Sequence, residues 1–175
     1  LGSGNAGAYR GQARIERYIY PTSESQITLI GGLSEPLPTT ITDDFQLSED
    51  NGWPNFEGRA ALGLGPLIGE GLEAKRPFEV GVSGGVGEIR TTDIAIREVA
   101  DVWGLGADLR FAVTERFGVQ GEYYTGESRG TYGGAAMQNV NSQTFAGIQS
   151  SGWWAEFYVF LVPECLHTHV GFGID

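Results

Sequence analysis

The feature that most constrains this chain is a two-residue alternation of apolar side chains that recurs along most of its length. Between residues 103 and 113 the even positions are small or charged and the odd positions are apolar: Trp103, Leu105, Ala107, Leu109, Phe111 and Val113. Because side chains alternate between two faces along a β-strand, this pattern predicts a strand with one continuous apolar face. The alternation resumes at Phe117 after residues 114–116, which predicts a hairpin.

The same alternation appears in six further runs. They cover residues 12–20, 24–33, 56–65, 78–87, 153–161 and 166–174. Strands of soluble sheets have about five or six residues, whereas tilted membrane-crossing strands need about nine to eleven, and these runs match the longer class. No apolar stripe of helical period with helix caps accompanies them. The sequence therefore predicts an all-β protein of about eight long strands, the first two being the least regular.

The connections between the predicted strands also alternate, in this case between short and long. Those after the first, fifth and seventh strands are short, whereas residues 34–54, 91–98 and 129–150 form long loops. In an antiparallel up-and-down meander, alternate connections lie at opposite ends of the sheet. Short turns at one end and long loops at the other are typical of bacterial outer-membrane barrels. The connection at residues 67–76 is longer than this rule predicts.

Two environments can cover the apolar face of such a meander. In a soluble barrel that face points inward around an apolar ligand, whereas in a membrane barrel it faces lipid and the polar face lines the interior. The chain has 28 glycines, and Lys75 is its only lysine among 11 basic residues. A solvated exterior carries many interspersed lysines, so the lysine-poor and glycine-rich polar face favours the interior of a membrane barrel.

This assignment predicts two sets of residues with opposite surroundings. We expect lipid to contact the residues of the apolar face, namely Phe56, Phe78, Trp103, Leu105, Leu109, Phe111, Phe117, Trp153, Phe157 and Phe172. Aromatic residues near strand ends are typical of the girdles that border a lipid-exposed band. We expect the following residues of the polar face to line the interior: Glu57, Arg59, Glu79, Asp108, Arg110, Gln120, Glu122, Glu156, His167 and His169.

Three segments resemble a known family of proteins. NGWPNFEGRAALGLG (51–65), VWGLGADLRFAVTERFGVQGEYYTGE (102–127) and CLHTHVGFGID (165–175) are similar to porin-like outer-membrane barrels of Gram-negative bacteria, especially those of planctomycete-type bacteria. The resemblance covers residues 51–175. It implies an outer-membrane location and passive diffusion of small solutes or ions, with no cofactor and no reaction. Oligomeric state is left open, with a homo-oligomer among the expectations.

The resemblance also raises the question of how much of a barrel the chain supplies. Porins of that class use about 16 to 18 strands. Eight strands would place both termini at the long-loop end, whereas a complete bacterial barrel has them at the short-turn end. We therefore expect residues 1–175 to be either one small barrel domain or, as the parity favours, a section of a larger barrel. A further strand at residues 40–47 would reverse the parity and permit a complete small barrel.

Reactive side chains give no constellation that requires an enzyme. His167 and His169 share one face of a strand, but we expect them to line the interior rather than bind a metal, since only Glu164 is a nearby carboxylate. A glycosidase needs two carboxylates, and Glu57 and Glu79 supply that number. Any polar barrel face carries such residues, however, so this pair does not indicate a glycosidase. The formal net charge of −11 argues against a nucleic-acid partner.

The sequence thus predicts a membrane channel for small solutes, and a soluble or periplasmic binding barrel as the alternative. In the channel, the charges of the polar face would set ion selectivity, or would pair across strands as a structural network. The loop at residues 129–150, uncharged after Arg129, would fold into the interior or stay outside it.

Overall fold

The computed structural model of this protein describes residues 11–35, 53–68, 75–90, 99–129, 139–141, 143–144, 146–162 and 166–174. These residues form eight strands and no helix. The strands are β1 (Gln12–Thr22), β2 (Ser25–Ser34), β3 (Asn55–Leu64), β4 (Phe78–Arg90), β5 (Val99–Ala112), β6 (Phe117–Glu127), β7 (Gln149–Val162) and β8 (Leu166–Ile174). They form one antiparallel sheet in the order of the chain. The predicted all-β meander of eight long strands is confirmed.

Strand boundaries differ from the sequence prediction at both ends of the sheet. β1 continues to Thr22, so the first turn is shorter than predicted, and the Thr22 backbone N–H donates to Ser25 Oγ over 3.1 Å. At the long-loop end the β4–β5 pairing continues until Arg90 lies opposite Val99. There Ile89 and Ala100 are buried on the face that is polar elsewhere. At this end the apolar residues therefore lie on the other face. For that reason the alternation in the sequence did not indicate the additional length of β4 and β5.

The register of the sheet divides the side chains into two faces. Phe78 lies opposite Phe111, and Glu79 lies opposite Arg110. Because residues directly opposite each other in an antiparallel pair point to the same side, apolar positions continue across neighbouring strands, as do polar ones. We call the side that includes Phe111 the apolar face and the side that includes Arg110 the polar face.

From β2 to β7 the two faces differ in exposure, whereas β1 and β8 are exposed at nearly every position of both faces. On the apolar face Val82 and Leu105 are each 59% exposed, and Phe157 is 56% exposed. On the polar face the side chain of Arg59 is 16% exposed and that of Glu156 is 21% exposed. Each of the eight strands contacts only its neighbours in the chain, so none of them forms a second layer over either face.

The sheet is open. Within the described residues β1 pairs only with β2, and β8 pairs only with β7. This arrangement fits a partial barrel, because a closed barrel would pair its first and last strands. The additional strand considered at residues 40–47 lies outside the described residues.

A buried arginine organises the short-turn end of the sheet. Arg76 lies in the connection between β3 and β4 and is 4% exposed. Its Nη1 donates to the carbonyl oxygens of Gly65 and Ser23, the latter over 3.1 Å, and its own carbonyl oxygen accepts from Arg110 Nη2 over 3.0 Å. One side chain therefore joins the first turn to the β3–β4 connection. This is the connection whose length departs from the alternation of short and long loops.

Candidate functional site

The residues predicted to line an interior all lie on the polar face. The register places Arg110 opposite both Glu79 and Gln120, and Gln120 opposite Glu156. His167 and His169 lie on the same face of β8, opposite Phe160 and Tyr158 of β7. The polar face thus carries a row of charged and amide side chains that runs across the sheet from β3 to β7.

Four charged residues on β3, β4 and β5 form what we call the ion-pair cluster: Arg59, Glu79, Asp108 and Arg110. Arg59 Nη2 lies 2.9 Å from Glu79 Oε1 and 2.5 Å from Asp108 Oδ1. Arg59 Nε also donates to Asp108 Oδ2 over 3.3 Å, and Arg110 Nη2 lies 4.0 Å from Glu79 Oε2. Two arginines and two carboxylates therefore compensate each other. Such charge-assisted bonds are stronger than neutral ones.

The ion-pair cluster depends on a glycine in the intervening strand. Arg59 and Asp108 belong to β3 and β5, so their bond crosses β4 at Gly81. A Cβ atom at position 81 would lie 2.5 Å from Asp108 Oδ2 and 2.6 Å from Arg59 Nη2. Any larger residue would displace both charged groups. Sequence reasoning did not identify this role, although an interior strand glycine is a known sign of close approach.

The other part of the polar face, on β6, β7 and β8, has a different composition. We call Glu122, Trp154, Glu156, Tyr158 and His169 the acidic–aromatic patch. Trp154 Nε1 donates to Glu122 Oε2 over 2.9 Å. Glu156 Oε1 accepts from Gln120 Nε2 over 2.6 Å and lies 2.8 Å from His169 Nδ1. The polar-face positions of these three strands include no lysine or arginine.

The two histidines form an aromatic contact. Their ring centroids lie 5.1 Å apart in an edge-on arrangement, and the ring of His169 is also 6.2 Å from that of Tyr158. Among the residues that the structure describes, no group of three or more His, Cys, Asp or Glu side chains could hold a metal ion. The pair is an exposed ring contact on the last strand of the sheet.

At the long-loop end, the start of the 129–150 loop turns over the polar face. Arg129 packs its side chain against Gly104 and Gly126, two polar-face glycines that lie opposite each other on β5 and β6. The Ser128 backbone N–H donates to Ile148 O over 2.9 Å, which brings the end of the loop back to its start. Arg129, the first residue of the loop, therefore lies over the polar face, while residues 130–138 lie outside the described part.

The residues predicted to contact lipid all lie on the apolar face. On β5 this face begins with Trp103 and reaches Phe111, with Leu105, Ala107 and Leu109 between them. Trp103 and Phe111 are eight residues apart, which corresponds to about 27 Å along the strand at ~3.4 Å per residue. A strand tilt of roughly 40° would make that roughly 20 Å across a bilayer, close to the apolar band of membrane barrels.

Aromatic side chains of the apolar face lie at both ends of the β5 run and also at its middle, where Tyr123 and Trp153 are in register with Ala107. At the short-turn end, Phe78 and Phe111 lie edge to face at 5.9 Å, the distance between their ring centroids. At the long-loop end, Trp103 Nε1 donates to Glu127 Oε2 over 3.2 Å, and Trp53 lies 5.3 Å from Phe56 between centroids. An indole with an apolar body and a bonded N–H suits an interface between lipid and water.

Comparisons with family models, with curated proteins and with solved structures find no match for this chain. None of the described residues belongs to a helix long and apolar enough to cross a membrane. The site is therefore defined by its own geometry, which is an exposed apolar face opposite a charged and partly buried polar face.

Proposed function

We propose that this protein forms part of the wall of an outer-membrane, porin-like β-barrel through which small solutes or ions diffuse passively. One observation carries the proposal, namely that the exposed face of the sheet is apolar and the sheltered face is charged. Water would favour the opposite arrangement, since burying apolar area is worth roughly 25 cal/mol per Å². Lipid on the outside and water within would satisfy both faces.

The alternative of a soluble barrel with an apolar ligand inside is less compatible with the exposure of the two faces. In such a barrel the apolar face would be the concave one. Here Leu105 and Phe111 are exposed, and the charges of the ion-pair cluster occupy the sheltered side. An exposed apolar area of this extent would promote aggregation in water.

The open edges of the sheet bear on the width of the proposed pore. Backbone groups at an unpaired edge find no water in the core of a bilayer, so spanning sheets must close. In the proposed barrel, β1 and β8 therefore pair with strands beyond the eight described. Such a barrel is wider than one of eight strands, whose interior is just filled by side chains.

The proposed role requires no reaction. The carboxylates of the polar face pair with arginine, amide, indole and imidazole groups of neighbouring strands. This arrangement resembles a polar channel lining that attracts or repels solutes by charge. We propose no cofactor and no covalent step.

The membrane orientation can be tested with a matched pair of arginine substitutions. Leu105→Arg places a charge on the apolar face, whereas Gln120→Arg places the same charge on the polar face. A lipid-facing arginine near mid-bilayer costs about 2–4 kcal/mol, and a lumen-facing one is tolerated. We expect Leu105→Arg to reduce the amount of folded protein in outer-membrane fractions and Gln120→Arg to leave it nearly unchanged.

Solubility and conductance complete this test. The unsubstituted protein should require detergent and should conduct ions when reconstituted into planar bilayers. A protein that is monodisperse in buffer without detergent would contradict the proposal. Greater sensitivity to Gln120→Arg than to Leu105→Arg would reverse the assignment of the two faces.

A further inference from the structure

We infer that His167 and His169 make this wall sensitive to pH, so that mild acid shifts the preference of the pore from cations toward anions. The inference rests on the proposed function and names a regulation of the same polar face. The chain has only two histidines. Both lie on the polar face of β8, and their ring centroids are 5.1 Å apart. Every imidazole of the protein is therefore at one place in the wall.

The concentration of imidazoles at one place limits which charges can respond to mild acid. Histidine is the side chain whose ordinary pKa lies between pH 5 and 8. Carboxyl side chains ordinarily titrate below this range, and lysine, tyrosine and arginine titrate above it. Between about pH 7.5 and about pH 5.5 the imidazoles therefore gain positive charge while the other charges of the polar face stay as they are.

The geometry joins one of the two imidazoles to a fixed negative charge. His169 Nδ1 lies 2.8 Å from Glu156 Oε1, and this carboxylate oxygen also accepts from Gln120 Nε2 over 2.6 Å. When the imidazole is neutral, the pair carries the negative charge of the carboxylate. When the imidazole is protonated, the two groups form an ion pair without net charge. Acid thus removes a negative charge from the wall at this point, and the charges that line a pore set its ion selectivity.

The surroundings of the two rings leave them open to protons. The side chain of His169 is 43% exposed, and every position of β8 is exposed. Among the described strands, β8 contacts only β7. The β7 groups that face the rings are the carboxylate of Glu156 and the rings of Tyr158 and Phe160. Carboxylates and phenols ordinarily keep their charge states in this range of pH, so the imidazoles supply the change.

The experiment measures the reversal potential in a KCl gradient at about pH 7.5 and at about pH 5.5, with the full chain reconstituted into planar bilayers. For the unsubstituted protein we expect acid to move the reversal potential toward that of chloride. A series of intermediate pH values should place the midpoint of this shift between pH 5 and pH 8. The double variant His167→Gln/His169→Gln cannot gain the two charges, so it should lose the shift.

Two control variants separate the titrating charge from fixed charge and from damage to the strand. Glu156→Gln removes the carboxylate beside His169 but leaves both imidazoles. It should move the reversal potential toward that of chloride at both pH values and retain a shift in acid. Thr168→Val changes the residue between the two histidines, on the apolar face of β8. It should retain the shift in full.

Four outcomes would contradict these expectations. An acid shift of unchanged size in the double variant would overturn this inference, as would loss of the shift in Thr168→Val. A midpoint below pH 5, where carboxylates titrate, would also overturn it, and that measurement uses the unsubstituted protein even if the double variant folds poorly. Conductance with the same reversal potential at both pH values would overturn this inference alone. Absence of any conductance would instead overturn the proposed function.

Discussion

The ion-pair cluster and the acidic–aromatic patch occupy the same face of one sheet, but their carboxylates have different bonding partners. In the cluster, two arginines and two carboxylates from three strands bond to each other, and Arg59 reaches Asp108 across an intervening strand. In the patch, the carboxylates bond to an amide, an indole and an imidazole. The first region bonds arginines to carboxylates, while the second bonds carboxylates to amide and aromatic side chains.

This difference separates two uses of a polar barrel wall. Charges that cancel between strands contribute to register and stability and leave little field for a solute. Carboxylates held by an amide or indole N–H have a fixed position but still act on ions nearby. We therefore expect substitutions in the cluster to change stability more than conductance, and substitutions in the patch to do the reverse.

Within these two regions, the largest effect on stability should follow removal of Arg59. Arg59→Leu leaves Glu79 and Asp108 close together without the cation that joins them. Bonds to charged groups contribute about 1.5–3 kcal/mol, and we expect a loss in that range. Thermal unfolding in detergent would measure it, with Arg59→Lys as a control that keeps the charge but not the fork geometry. Equal unfolding temperatures for Arg59→Leu and the unsubstituted protein would show that the cluster does not stabilise the sheet.

A glycine pair provides a smaller and more specific test of the same region. Gly81→Val would push its side chain into the space between Arg59 and Asp108, whereas a Cβ atom at Gly31, on the apolar face, would meet no atom within 4 Å. Overpacking costs about 1–3 kcal/mol, so Gly81→Val should destabilise the protein while Gly31→Val should not. Unfolding temperatures of the two variants give the comparison. Equal losses would indicate a general intolerance of valine at strand glycines instead.

How far the sequence predicts this site depends on the kind of information required. Membership of a face follows from alternation alone, since each strand presents every second residue to one side. Residues 59, 79 and 108 could therefore be assigned to one face before any pairing was known. The bond between Arg59 and Asp108 could not be predicted from the sequence. It depends on the register of two hairpins and links residues 49 positions apart.

Other features of the structure were indicated only weakly by the sequence, or not at all. Ile89 and Ala100 extend the β4–β5 pairing with apolar residues on the polar face, which is contrary to the alternation used to define the strands. Arg76 binds two carbonyl oxygens of turns that are distant in the chain, and no local pattern marks such a contact. The open edges depend on curvature, which a two-residue period does not encode.

The smallest expected effect separates the bond and the ring of one residue in the patch. Trp154→Phe removes the Nε1 donor to Glu122 and keeps an aromatic face. The loss of one such bond should lower the free energy of unfolding by about 1.5 kcal/mol, the lower end for a bond to a charged group and less than we expect for Arg59→Leu, which removes bonds to two carboxylates. If stability falls by more than in Arg59→Leu, the patch rather than the ion-pair cluster holds these strands together, and the division of roles between the two regions is wrong. Chemical unfolding of both variants in the same detergent decides between these outcomes, because a shared detergent affects both measurements alike.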